Sequence, residues 1–154
     1  MLEMFCDPQA VAVIGASRTP GKLGYSVLQN VIQHGFMGAI YPINPQADEL
    51  LGHKCYSSVL AVPGPIDLAV ILIPSPHVAR ALVECGEKGI RGAIVMSAGF
   101  REAGREGRKR ERELVDIARR YGMRLIGPNS LGVVDAIASL NASFATGMPA
   151  KGSI

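Results

Sequence analysis

Short, mostly apolar segments alternate with amphipathic stretches along this chain. Ala10–Ile14, Ala39–Ile43, Asp67–Ile73, Gly92–Ser97 and Arg124–Ile126 are each closed by Gly, Pro, Ser or Asn. Apolar runs of this length, bounded by turn residues, predict strands buried on both faces. Between them, Tyr25–His34 carries Val27, Leu28, Val31 and Ile32 at helical spacing, and Gly35 follows as a stop signal. His77–Lys88 places Val78, Ala81, Leu82 and Cys85 on one face, and Glu106–Tyr121 predicts a long helix. Val133 begins a weaker strand or a loop. Strand and helix therefore alternate. That pattern predicts an α/β, Rossmann-like, doubly wound and mainly parallel sheet with helices on both faces and right-handed crossovers.

Composition narrows the class. At 154 residues, 48 % apolar and 19 % charged, the chain suits one domain with a sizeable core, here read as residues 1–150. The net charge of +3 is local: Arg101–Arg124 holds nine basic and five acidic residues, against seven and eight elsewhere. That is too mixed for a nucleic-acid reader, and with 5 % aromatics and no Trp there is no base-stacking platform. Cys6, Cys55 and Cys85 are scattered without CxxC spacing, the usage of reduced thiols in a cytoplasmic protein. The first residues lack a signal-peptide pattern, and the apolar run Leu68–Ile73 stops at Pro74, so no membrane role is expected. Lys151–Ile154 reads as a turn entering a new strand, which suggests the start of a following domain in a longer protein.

In open parallel sheets the ligand lies at the carboxyl ends of the strands. Five turns would share that rim: Gly15–Gly24, Asn44–Gln46, Pro74–Pro76, Ser97–Phe100 and Gly127–Gly132. The first carries small residues that let backbone approach a ligand, with the Ser17 hydroxyl and the charges of Arg18 and Lys22, so it suits a phosphate. The Pro74-Ser75-Pro76 lip could support an adenine ring or simply start a helix. Asn129 could bind a ligand or hold its turn.

The dinucleotide fingerprint GxGxxG is not met, because Ala16 and Ser17 follow Gly15. An NAD site also needs an acid at the end of the second strand, where this chain has Asn44. His34, His53 and His77 have no Cys, Asp or Glu at metal-ligand spacing, and read as structural or solvent-exposed. Arg101–Arg120 reads as a solvated helix face, with Glu102 the one acid near the rim. No nucleophile elbow or Ser–His–acid set is present. The pattern is that of a binding site without a catalytic constellation.

Val13-Ile-Gly-Ala-Ser17 with Pro20 and Lys22, Tyr41-Pro-Ile-Asn-Pro45, Asp67-Leu-Ala-Val70 with Pro74, Ser97-Ala-Gly-Phe100 and Gly127-Pro-Asn129 occur in order. Together they resemble the CoA-binding domain of NDP-forming acyl-CoA synthetases, which include ADP-forming acetate–CoA ligases and, more distantly, the alpha subunit of succinyl-CoA synthetase. The resemblance runs from about Phe5 to Ile154. It implies a coenzyme A or acyl-CoA site. Gly15, Ala16, Ser17 and Arg18 would form the first binding turn, with Lys22 the basic residue after it. Asn44, Pro45 and Gln46 would form the second, and Ile73, Pro74, Ser75 and Pro76 a lip near the adenine. Ser97, Ala98 and Gly99 would lie beside the pantetheine arm, with Asn129 in the last turn. Relatives often have Lys at the position of Gln46, and the succinyl enzyme has an acid at that of Ala98. The family's phosphorylated histidine and its ATP-grasp domain belong to domains that 154 residues do not accommodate, and none of the three histidines here matches. The resemblance thus implies a CoA-binding module of an acid–thiol ligase that is inactive alone. Two other readings remain: the CoA-binding regulatory region of a protein lysine acetyltransferase, and an NAD(P)-binding oxidoreductase domain.

Overall fold

The computed structural model describes residues 3–150 and 152. A single-turn helix α1 (Glu3–Cys6) leads to strand β1 (Ala10–Ile14), helix α2 (Leu23–Gln33) and strand β2 (Ala39–Ile43). A small hairpin of β3 (Glu49–Leu50) and β4 (His53–Lys54) follows, then a 3-10 turn at Val59–Ala61 and strand β5 (Leu68–Ile71). The chain continues through α3 (Ser75–Lys88), β6 (Gly92–Val95), α4 (Arg105–Tyr121) and β7 (Arg124–Ile126), and finishes in an antiparallel hairpin, β8 (Gly132–Asp135) with β9 (Leu140–Ser143).

The main sheet has the order β2-β1-β5-β6-β7, and every pairing in it is parallel. Its strands are apolar on both faces because both are covered. Ala12, Ile14, Ala69, Ile71, Ala93 and Val95 point to one side and pack with Val78, Leu82, Leu114 and Ile117 of α3 and α4. The alternate residues Val11, Val13, Leu68, Val70 and Ile94 point to the other, against Val27, Leu28 and Val31 of α2 and Leu140 and Ala142 of β9. Burying each such Val, Leu or Ile stabilises by roughly 1.5–3 kcal/mol relative to exposure. The expected doubly wound architecture is present, with the terminal hairpin sharing one face with α2.

Boundaries differ from expectation in instructive places. β5 ends at Ile71 and β6 at Val95, two residues early, because Leu72 N donating to Ile14 O and Met96 N donating to Ile71 O are the last rungs before the chains diverge. α2 begins at Leu23 and α3 at Ser75. Pro76 does not stay in a loop: its missing N–H is tolerated in a first helical turn. β3, β4 and β9 were not expected. The predicted turn at 151–154 lies outside the described residues, apart from Gly152. No helix among the described residues is long and apolar enough to cross a membrane.

Candidate functional site

Strand order reverses between β1 and β5, so a crevice opens where the turns after these strands part. Gly15 has φ +92°, and a Cβ there would lie 2.9 Å from Ile73 Cγ2 and 3.1 Å from the Leu72 carbonyl. Gly24 meets the same turn from the other side: its Cβ would stand 2.0 Å from the Gly15 carbonyl oxygen. The two glycines let β1, β5 and the start of α2 close up. Within the turn, Ser17 Oγ accepts from Thr19 N at 3.1 Å, which leaves its own proton to donate. Lys22 is the N-cap residue of α2, exposed, and makes no side-chain capping bond.

The β2 turn is strapped to the β1 turn. Asn44 Nδ2 donates to Ala16 O at 2.9 Å, and Asn44 Oδ1 accepts from Gln46 N at 2.8 Å. Arg18 Nη2 donates to Gln46 O at 3.1 Å. Both polar atoms of the Asn44 side chain are thus committed to backbone.

These turns enclose a cleft of about 590 Å³ that includes Gly15, Ala16, Ser17, Lys22, Asn44 and Pro45. Ile73 and Pro74 form its far lip and also bound a neighbouring groove of about 380 Å³. That groove takes in Ser97, Ala98, Asn129 and Ser130, with Leu23, Leu131 and Phe144 on its apolar side. Ser97 Oγ donates to Ile73 O at 2.6 Å, fixing the ridge between the two spaces. Asn129 N donates to Ser97 O at 3.0 Å, and Asn129 itself adopts φ +53° with an exposed side chain.

Eleven of the sixteen expected contact residues therefore line two adjoining spaces on one rim. Arg18 and Gln46 cross-tie the loops outside the lining. Ser75 and Pro76 lie in the first turn of α3, and Ser75 Oγ sits where a Cβ on Gly99 would come within 2.4 Å. Gly99 N donates to Glu102 Oε1 at 2.6 Å. That bond, then the backbone N–H groups of Glu102 itself and of Phe100, hold the Glu102 carboxyl below the usual carboxylate range. Glu102 is thus a turn-holding acid.

The sequence reading missed the outer wall of the cleft. Ser57 and Ser58 arrive there because β4 is followed by a bridge pairing Tyr56 with Ile43. His77, Arg80, Ala81 and Glu84 line it from α3. Their i, i+3, i+4, i+7 spacing was the available signal, read instead through the core residues on the neighbouring stripe. Glu84 Oε2 accepts from Ser58 Oγ at 2.7 Å, and Arg80 Nε donates to Glu84 Oε1 at 3.3 Å. His77 is solvent-exposed, one of the two placements expected for it, and it also lies on the cleft wall.

Electrostatically the cleft favours an anion. The N-cap residues of α2 and α3, Lys22 and Pro74, line it without a side-chain cap, which puts the positive end of each helix dipole beside it, although in α3 Pro76 has no N–H and His77 N donates to Pro74 O. Lys22, His77 and Arg80 line it with Glu84 as the one acid. Another depression of about 550 Å³ lies at the amino ends of the strands, opposite the rim, but its Asp67 is occupied by the N–H groups of Gln9 and Ala10. No group of three His, Cys, Asp or Glu side chains among the described residues is placed to hold a metal.

Comparison with known proteins agrees with this geometry. A family model described as a CoA binding domain matches residues 9–136. The chain is 47 % identical over all 154 residues to an ADP-forming acetate–CoA ligase II subunit alpha of Pyrococcus furiosus, covering 33 % of that protein. It is 48 % identical over 153 residues to an ADP-forming acetate–CoA ligase I of Archaeoglobus fulgidus, covering 22 % of it. Among solved structures, it superposes with a TM-score of 0.90 at 47 % identity on a dinucleotide-forming acetyl-coenzyme A synthetase 1 of Ca. Korarchaeum cryptofilum in complex with phosphate and ADP. That match covers 94 % of this chain and 31 % of the other. A Pyrococcus horikoshii crystal structure matches with a TM-score of 0.91 over 95 % of the chain. The chain thus spans a third or less of the relatives named here.

Proposed function

The chain belongs to the CoA-binding domain family, and on that premise we propose that it is the CoA-binding module of an ADP-forming acyl-CoA synthetase, an acid–thiol ligase that joins a carboxylate to CoA at the expense of ATP. The observation that carries this reading is the cleft at the β1–β5 switch point, bordered by two uncapped helix starts and Lys22, and continuous over the Ile73–Pro74 ridge with a more apolar groove. A ligand with a charged nucleotide end and a long uncharged arm fits such a pair of spaces. The diphosphate would lie on the Gly15–Ser17 turn, held by backbone N–H groups, the Ser17 hydroxyl and Lys22. The adenine would rest on Ile73 and Pro74, and the pantetheine arm would run past Ser97 and Ala98 toward Asn129. Asn44 contributes by holding the turn's shape.

The acyl-transfer steps would need groups that these residues do not supply. The Ser58 hydroxyl lies beside the Glu84 carboxylate in the cleft, but it also accepts from Leu60 N and so caps the 3-10 turn; the module is read as binding CoA and orienting its arm. Phosphohistidine and ATP-grasp domains would complete the ligase in the cytoplasm. A dinucleotide reading is disfavoured because the end of β2 offers Asn44, with both its polar atoms bonded to backbone, in place of a ribose-binding acid.

Calorimetric titration with CoA, NAD and NADP tests the proposal. Saturable CoA binding without either dinucleotide is expected. Dinucleotide binding without CoA would overturn the reading.

A further inference from the structure

The cleft has more positive charge than a diphosphate on the β1 turn uses, and its distribution is uneven. Lys22 stands at the turn itself. The β2 side offers Asn44 and Pro45, with no cation, and the nearby Arg18 is bonded to the Gln46 carbonyl outside the lining. The remaining basic side chains of the wall, His77 and Arg80, are both on α3. With Glu84 they form a stripe about 10 Å long on one side of that helix.

Arg80 is held in a way that leaves its fork open. Its Nε donates to Glu84 Oε1, and the other oxygen of Glu84 is held by the Ser58 hydroxyl. The guanidinium has five N–H donors, and only the Nε one is used in that pair. The Arg80 side chain is 88 % exposed, so its terminal nitrogens face open space beside the cleft. A chain of Ser58, Glu84 and Arg80 thus orients a two-pronged donor of the kind that suits a phosphate. His77, one turn earlier, adds a ring N–H.

We propose that His77 and Arg80 form a second anion subsite that takes the 3′-phosphate of CoA, and that this wall sets the preference for CoA over nucleotides lacking that group. The proposal rests on the reading of the cleft as a CoA site with the diphosphate on the β1 turn. Because one ribose carries both the 5′-diphosphate and the 3′-phosphate, the second anion falls in the same cleft. The α3 wall is where unspent positive charge awaits it. NAD has no phosphate at that position, so the same wall explains how a Rossmann-like crevice would discriminate against it.

The test titrates the full 154-residue chain with CoA and with 3′-dephospho-CoA and compares the ratio of the two dissociation constants. The unmodified protein is expected to bind CoA about 10- to 100-fold more tightly, the range for a charge-assisted contact. In Arg80→Ala that ratio should fall by about 10-fold or more, and in His77→Ala by about 3-fold, with dephospho-CoA affinity little changed in both. Lys22→Ala should weaken both ligands together and keep the ratio. Arg80 and His77 are exposed, so the substitutions leave the core intact, and unchanged thermal unfolding checks this. Equal affinity of the unmodified protein for the two ligands, or a ratio that survives Arg80→Ala, would overturn the subsite while leaving CoA binding standing. Failure to bind either ligand would overturn the CoA reading, and the subsite with it.

Discussion

Replacing Gly24 with alanine probes how closely the ligand turn and helix α2 are joined. The new Cβ would stand 2.0 Å from the Gly15 carbonyl oxygen, 3.0 Å from the Gly15 carbonyl carbon and 3.3 Å from Ala16 Cα. A carbon and a carbonyl oxygen in contact rest at about 3.3 Å or more, so turn and helix must part by more than about 1 Å. All three atoms are backbone, and no rotamer change relieves them. Overpacking of this kind costs about 3 kcal/mol at the upper end of its usual range. Helix propensity acts the other way, favouring alanine by at most about 1 kcal/mol. The net loss of about 2 kcal/mol corresponds to a Tm lower by about 4–8 °C for a domain of this size. The same displacement carries the Ser17 hydroxyl away from its position, so CoA affinity should fall by about 10-fold. Thermal unfolding by circular dichroism and calorimetric titration read the two effects. A Tm equal to or above that of the unmodified chain, with unchanged affinity, would refute the reasoning: propensity would have won.

Three further outcomes are expected. Lys22→Ala should weaken CoA binding by roughly 1.5–3 kcal/mol with no change in unfolding, because the side chain is exposed and bound to nothing it would abandon; a wild-type dissociation constant would remove Lys22 from the site. Asn44→Ala should lower stability by about 1–3 kcal/mol and weaken CoA binding as well, since it frees the Ala16 carbonyl and the Gln46 N–H together; chemical denaturation alongside titration would show whether the two losses coincide. Cys85, with its thiol pushed from the ordinary 9.0 up to about 12 by burial and then by the nearby Glu84 carboxylate, should resist thiol reagents that label the exposed Cys6. Its folded form keeps a proton that the unfolded chain loses above pH 9. Stability from this group is complete below that pH and declines toward pH 12. Labelling of Cys85 in the native protein, located by mass spectrometry, would contradict its burial.

The strands and the long helices were legible because their signal is local and repetitive. Ala10–Ile14 and Ala39–Ile43 were read to the residue, since apolar runs end where Gly15 and Asn44 begin. Edges set by tertiary hydrogen bonds were not: Ile73 and Ser97 look strand-like in sequence, yet the β1–β5 ladder ends at Ile14 and Ile71 and the β5–β6 ladder at Ile71 and Val95. Ser75 and Pro76 look like loop residues, but a proline near a helix start reads the same as a proline that bars one. The rim turns were found by rule, because strand ends imply their position. Ser58, Arg80 and Glu84 were not, because their meaning depends on a bridge between Tyr56 and Ile43 that no periodicity encodes. The β9 strand was missed for a similar reason. Its buried Asn141 and Ser143 look like loop polars, and their mutual bonds, those to Ala145 and Gly147, and Asn30 of α2 reaching Ser143 O make them interior residues.

The order of strands in the main sheet has a consequence for synthesis. Every residue that lines the cleft lies between Ile14 and Glu84, whereas the neighbouring groove draws on residues as late as Phe144. β1, the inner strand of the cleft, pairs with β2 and with β5, whose register partner Leu68 is 57 positions beyond Val11. As a chain leaves the ribosome from its amino end, the charged half of the site has all its parts once α3 has emerged. The half that would take the arm waits for another sixty residues. A growing chain thus completes the cleft proposed for the nucleotide before the groove proposed for the arm, and translational pauses before and after the later segment emerges would separate two stages of assembly.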